Sequence, residues 1–114
     1  MESQVKLNEK RQQNLDKFQQ LLPAVYSAAH DGVNAPLRTD GALSAKVKRL
    51  MCLAIALGVG CHNCILAQFH GALKLGVTKE EFLETLSVAV AMRGNTGMAE
   101  SMRVIELMDE LGML

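Results

Sequence analysis

Neither sign of charge dominates the chain: twelve lysines and arginines offset twelve aspartates and glutamates over 114 residues. With no clustered basic face, it lacks the electrostatic footprint of a nucleic-acid or anionic-lipid binder, so polyanions are not expected as partners. Long apolar runs are missing as well. The longest uncharged one, Leu50 to Gly60, is too short to span a bilayer. The opening Met1-Glu2-Ser3-Gln4-Val5-Lys6 lacks the apolar core of a secretory signal, so a cytoplasmic protein without a membrane partner is expected. Cysteine is scarce: three residues are an odd number and too few for a disulfide scaffold. Internal repeats and low-complexity segments are absent.

What is present is the balance of a globular protein, 49% apolar and 21% charged, at the length of one domain covering residues 1–114. Residues 1–14 are almost wholly polar and read as a frayed extension or the solvated start of a helix. From Leu15, apolar positions at Phe18, Leu22, Val25 or Tyr26, and Ala29 follow helical spacing, interrupted by Pro23. Proline disfavours helix at the residue before it but suits a first turn, which predicts one helix ending near Leu21 and another from Pro23 to about His30. Turn formers crowd residues 31–41 and divide these N-terminal helices, 1–40, from the segment 41–114.

Ser44 is a ready N-cap for a helix to about Val59, whose later turns, Met51 to Leu57, are apolar on every side and predict burial all round. A helix from the C-x-x-C pair to Leu75 is closed by Gly76. Thr78-Lys79-Glu80-Glu81 forms a capping box that starts a helix to about Arg93. Gly94-Asn95-Thr96-Gly97 breaks it before a last helix, Met98 to Leu111. The fold class is therefore all-α, with five or six helices. The tail of the helix to Arg93, Leu86 to Met92, is again apolar on all faces, and two such helices exceed what so short a chain covers, which favours a homo-oligomer.

The chemistry-bearing stretch is Gly60-Cys61-His62-Asn63-Cys64. Two thiols three residues apart on the first turn of a helix share a face, and the helix N-terminus favours the thiolate. On a helical wheel Gln68, Ala72 and Leu75 lie on that face, so the thiols are expected on a mostly apolar, inward-facing stripe with Gln68 as the polar neighbour. His70 falls away from the pair. His62 points to the side of both and can tune a thiolate by charge. Redox chemistry is the favoured reading; the alternatives left open are an inert pair or half of a zinc site. For zinc the chain offers only Cys52, His30, His62 and His70 besides the pair, none in a second paired spacing. Cys52 reads as a small core residue.

Gly41-Ala42-Leu43-Ser44 through Lys48-Arg49-Leu50, then Gly60 to Ile65, then Ala72-Leu73-Lys74-Leu75-Gly76-Val77-Thr78-Lys79-Glu80-Glu81, together resemble the carboxymuconolactone decarboxylase and alkylhydroperoxidase D-like family over about the C-terminal two-thirds of the chain. The resemblance implies an all-helical alkylhydroperoxidase D-like domain, assembly into trimers or hexamers, and antioxidant reduction of a peroxide or a disulfide at the expense of an unidentified thiol reductant. In that scheme Cys64 attacks and Cys61 resolves the sulfenic acid into an intramolecular disulfide, with neither cofactor nor metal expected. Members of the family place a glutamate twelve residues before the first cysteine and a histidine four after the second; here those positions hold Arg49 and Gln68. Neither acts as a general base at neutral pH, although Arg49 can stabilise a thiolate by charge and Gln68 by a hydrogen bond. The family name also implies decarboxylation of a muconolactone-type acid, for which Arg49, Lys48 and Arg93 are the candidate carboxylate holders. A non-catalytic redox-sensing or binding assembly is the third reading.

Overall fold

The computed structural model describes all 114 residues and consists of five α-helices without a strand: α1 (Gln4–Leu21), α2 (Pro23–Ser27), α3 (Ala45–Val59), α4 (His62–Lys74) and α5 (Lys79–Glu110). Side-chain oxygens start three of them. Ser3 Oγ accepts from the Lys6 N–H at 3.1 Å, Ser44 Oγ from the Val47 N–H at 3.1 Å and Thr78 Oγ1 from the Glu81 N–H at 3.2 Å. The last is the reciprocal box expected from the sequence, because Glu81 Oε1 accepts from the Thr78 N–H at 2.9 Å. Lys46 Nζ lies 2.8 Å from the same carboxylate oxygen and ties the start of α3 to the start of α5.

The N-terminal residues are better ordered than their polarity predicts. α1 begins at Gln4, and Gln4 and Asn8 are buried. The reason lies at the far end of the chain: Glu110 accepts from the free N–H groups of Gln4 (3.1 Å) and Val5 (2.7 Å). The helix entered at Pro23 is shorter than expected. It widens after Ser27 into a π-turn, Ala28–Val33, closed by the Asn34 N–H on the Ala29 carbonyl at 2.9 Å, and then tightens into a 3₁₀ turn, Ala35–Arg38.

Gly60 sets the corner that presents the C-x-x-C. Its φ of 78° is open to glycine at little cost, and it lets the N–H groups of Gly60 and Cys61 both reach the Ala56 carbonyl (2.9 and 3.2 Å), ending α3 one residue before α4 is capped. α5 has 32 residues and would be about 48 Å long if straight, more than the longest dimension of the molecule, 37 Å. It bends at Gly94 (φ 59°, ψ −135°), so the predicted break over residues 94–97 is concentrated in one residue. Beyond it the chain comes back so close that a Cβ on Gly97 would lie 2.5 Å from the Ala89 carbonyl oxygen.

The core forms where α3, α4 and both halves of α5 meet. Leu53, Leu57, Ile65, Phe69, Phe82 and Leu107 have no exposed surface, and the Phe69 and Phe82 rings stack with centroids 4.5 Å apart. The expectation that α3 is buried all round does not hold for one chain. Met51, Ile55 (64% exposed) and Val59 (74%), spaced every four residues, face outward together with Val88 and Met92 (80%) of α5. The partners of α3 cover only its inner side. No helix is long and apolar enough to cross a membrane.

Candidate functional site

Cys61 is the N-cap of α4, and its Sγ accepts from the Cys64 N–H at 3.3 Å. The two cysteines are disulfide-bonded in this structure, with Cα atoms 5.2 Å apart. They face different surroundings. Cys61 is half-buried behind the turn, whereas Cys64 is exposed and lines a cleft of about 620 Å³ between α1 and α4. The inward-facing stripe expected from the wheel is corrected accordingly. It starts at the surface with Cys64, is half-buried at Gln68, buried at Ala72 and exposed again at Leu75. The cause is that α1 stands off from the first turns of α4, and the gap is the cleft.

One wall of the cleft is the α1 face carrying Leu7, Arg11, Leu15 and Phe18. Arg11 is held by Asn8, whose Oδ1 accepts from its Nε at 2.8 Å, and burial lowers the guanidinium pKa. His62, Leu66, Ala67 and Gln68 of α4 form the opposite wall.

The two positions that depart from the family pattern pair with each other. Arg49 Nη1 donates to Gln68 Oε1 at 2.9 Å, and the guanidinium lies flat over Gly71, where an added Cβ would sit 3.0 Å from its central carbon. Arg49 Nε is buried without a partner. The arrangement places a cation beneath the cleft through Gln68 and provides no proton acceptor. Arg49, Lys48 and Arg93 do not converge as carboxylate holders: Lys48 Nζ donates to the Pro36 and Thr39 carbonyls, each at 3.0 Å, and Arg93 Nε to the Gly58 carbonyl at 2.9 Å.

His70 is remote from the pair, as its helical angle predicts. Its Nδ1 bonds the Leu66 carbonyl at 2.9 Å, and desolvation lowers its pKa more than that bond raises it, with Arg11 and Lys74 adding to the lowering. Cys52 is half-buried in α3, and no three His, Cys, Asp or Glu side chains converge on one point. The residue that sequence reasoning missed is Glu100. From the second half of α5 its Oε2 approaches His62 Nε2 at 3.2 Å and Arg103 Nε at 3.3 Å. The i,i+3 spacing of Glu100 and Arg103 is visible in sequence, but only the bend at Gly94 carries that pair to the start of α4.

Helices packed around a capped C-x-x-C, with one sulfur open to a cleft, define an all-α protein of the alkylhydroperoxidase D-like fold. The model of the carboxymuconolactone decarboxylase family matches residues 21–107, and the chain belongs to that family. It is 34% identical over 92 residues to an uncharacterized protein of Cupriavidus necator, an alignment that takes in 81% of this chain and 80% of that protein. It is also 33% identical over 72 residues to uncharacterized protein 4 in the cox locus of Paracoccus denitrificans, covering 63% of this chain and 65% of the other. The crystal structure of an apo carboxymuconolactone decarboxylase family protein from Legionella pneumophila superposes with a TM-score of 0.85 at 29% identity, over 96% of this chain and 97% of that one. The family model begins after most of α1, whereas the superposition extends over it, so the α1 wall of the cleft has a structural counterpart.

Proposed function

We propose that the protein is a thiol oxidoreductase in which Cys64 attacks a hydroperoxide or a partner disulfide and Cys61 resolves the product. The observation that carries this reading is the unequal placement of the two sulfurs: Cys64 open to the cleft, Cys61 behind it at the helix N-cap within bonding reach. With a hydroperoxide, the Cys64 thiolate takes the distal oxygen as the O–O bond breaks, leaving an alcohol and a sulfenic acid. The Cys61 thiol then displaces water and forms the disulfide. A first external thiol attacks the exposed Cys64 sulfur to give a mixed disulfide. Cys61 is the leaving group in that step, and the α4 N-terminus stabilises the negative charge it acquires. A second external thiol then releases Cys64 as the thiol and leaves as the external disulfide.

Thiol–disulfide exchange is the less demanding of the two reactions, because it needs a nucleophilic thiolate and a good leaving thiol, and the Arg49–Gln68 pair supplies no base. Such a cycle suits a reducing compartment such as the cytoplasm. The outward apolar row of α3 and α5 supports assembly from copies of this chain, a trimer or hexamer in the family's manner. The test is oxidation of the reduced protein by stoichiometric peroxide or by a low-molecular-weight disulfide, followed by peptide mapping. A Cys61–Cys64 disulfide formed in step with oxidant consumption is expected; persistence of both free thiols contradicts the reading. Turnover of a muconolactone-type acid by the double serine variant would support the decarboxylase instead.

A further inference from the structure

The thiol chemistry just proposed needs a proton acceptor for Cys64, and the following inference rests on that reading. Arg49 and Gln68 are engaged with each other and cannot serve. His62 lines the same cleft as Cys64, one helical residue after the N-cap. Its ring is 53% exposed, whereas the Glu100 and Arg103 side chains beside it are 19% and 21% exposed. Glu100 Oε2 is buried and stands 3.2 Å from His62 Nε2 and 3.3 Å from Arg103 Nε, yet neither contact is aligned as a hydrogen bond in the disulfide form. A buried carboxylate oxygen without an aligned donor is costly, and a small rotation that brings an Nε2–H onto it removes the cost.

We propose that His62 is the proton acceptor of Cys64, working through one water in the cleft, and that Glu100, oriented by Arg103, is its positioning residue. A hydrogen on Nε2 held by Glu100 leaves Nδ1 as the ring's free acceptor. Residues two apart on a helix do not face each other, so the proton travels by water rather than by direct contact. The Cys64 thiol gives its proton through that water to Nδ1, and the thiolate attacks the distal oxygen of the hydroperoxide. The O–O bond breaks, and the departing alkoxide recovers the proton from the imidazolium, giving alcohol and Cys64 sulfenic acid. The charged groups facing the ring are Glu100 and Arg103 from α5, with Glu2, Lys10 and Arg11 across the cleft. The Glu100 carboxylate lies against both the Arg103 guanidinium and the His62 ring, so the imidazolium forms beside a negative charge.

The experiment follows the second-order rate of Cys64 oxidation by an organic hydroperoxide in the reduced full-length chain, as a function of pH, for wild type, His62→Ala and Glu100→Gln. Loss of roughly 100-fold in His62→Ala is expected, with recovery on adding free imidazole and an unchanged melting curve. Glu100→Gln is expected to move the pH–rate profile toward acid, because the imidazolium loses its carboxylate. A His62→Ala rate equal to wild type overturns the relay while leaving the thiol chemistry standing. A loss that imidazole does not restore also overturns it, since a packing role alone would account for that. A wild-type protein whose thiols survive hydroperoxide fails the underlying reading instead, which separates the two.

Discussion

Cys61 and Cys64 share one turn of helix but have separate work, because the first is built into the cap and the second opens on the cleft. Replacing Cys64 with serine is expected to abolish oxidant consumption. Cys61→Ser is expected to leave a sulfenic acid on Cys64, detectable as a trapped adduct by mass spectrometry, and to raise the melting temperature little or not at all. The pair itself was legible in the sequence, since spacing and position after Gly60 are local properties. So was the departure at Arg49 and Gln68. That these two bind each other, and that Glu100 stands beside His62, depends on which helices meet, and no local pattern reports that.

Helix boundaries were legible where a cap adjoins an apolar pattern, as at Ser44, Gly76 and Thr78; Ser3 caps α1 as well, but the polar residues after it carry no such pattern, and α1 is anchored by a residue more than a hundred positions away. Desolvation raises the Glu110 carboxyl pKa, but hydrogen bonding to the Val5 N–H, the Ser3 side chain and the Gln4 N–H outweighs it and holds the group below the usual carboxylate range. A depressed carboxylate stabilises the fold above its unfolded pKa, about 4.3, and that contribution is lost as pH falls through the lower folded value. Amide exchange at Gln4 and Val5, extrapolated for intrinsic rate, is therefore expected to lose protection below about pH 4, and Glu110→Gln should show the weaker protection already at neutral pH. In α5 the bend is set by a conformation that side chains rarely adopt. Gly94→Ala is expected to cost roughly 1–3 kcal/mol in chemical denaturation. Gly97→Ala must also push the two halves of α5 apart, because its Cβ would meet the Ala89 carbonyl. Both substitutions should disturb the His62–Glu100 contact, which the bend creates.

At the scale of the molecule, the sequence made the all-helical architecture plain but overstated the burial of α3, since an apolar run does not say whether its second face meets the same chain or another copy. Met51, Ile55 and Val59 with Val88 and Met92 form one outward surface away from the cleft of Cys64. Ile55→Glu or Met92→Glu is expected to shift the protein to a smaller species in light scattering, and wild-type protein that is monomeric at high concentration would contradict assembly through this face. Packing of α1 on α4 and α5 builds the cleft from both ends of the chain, which places the exposed Cys64 sulfur and His62 in one opening with the Cys61 sulfur bonded behind it. The most direct test of that arrangement is the count of free thiols in fully reduced protein before and after one equivalent of hydrogen peroxide. All three cysteines are free at the start; the predicted result is a fall to one, Cys52, with an intramolecular Cys61–Cys64 bond, and three thiols still free after exposure would contradict it.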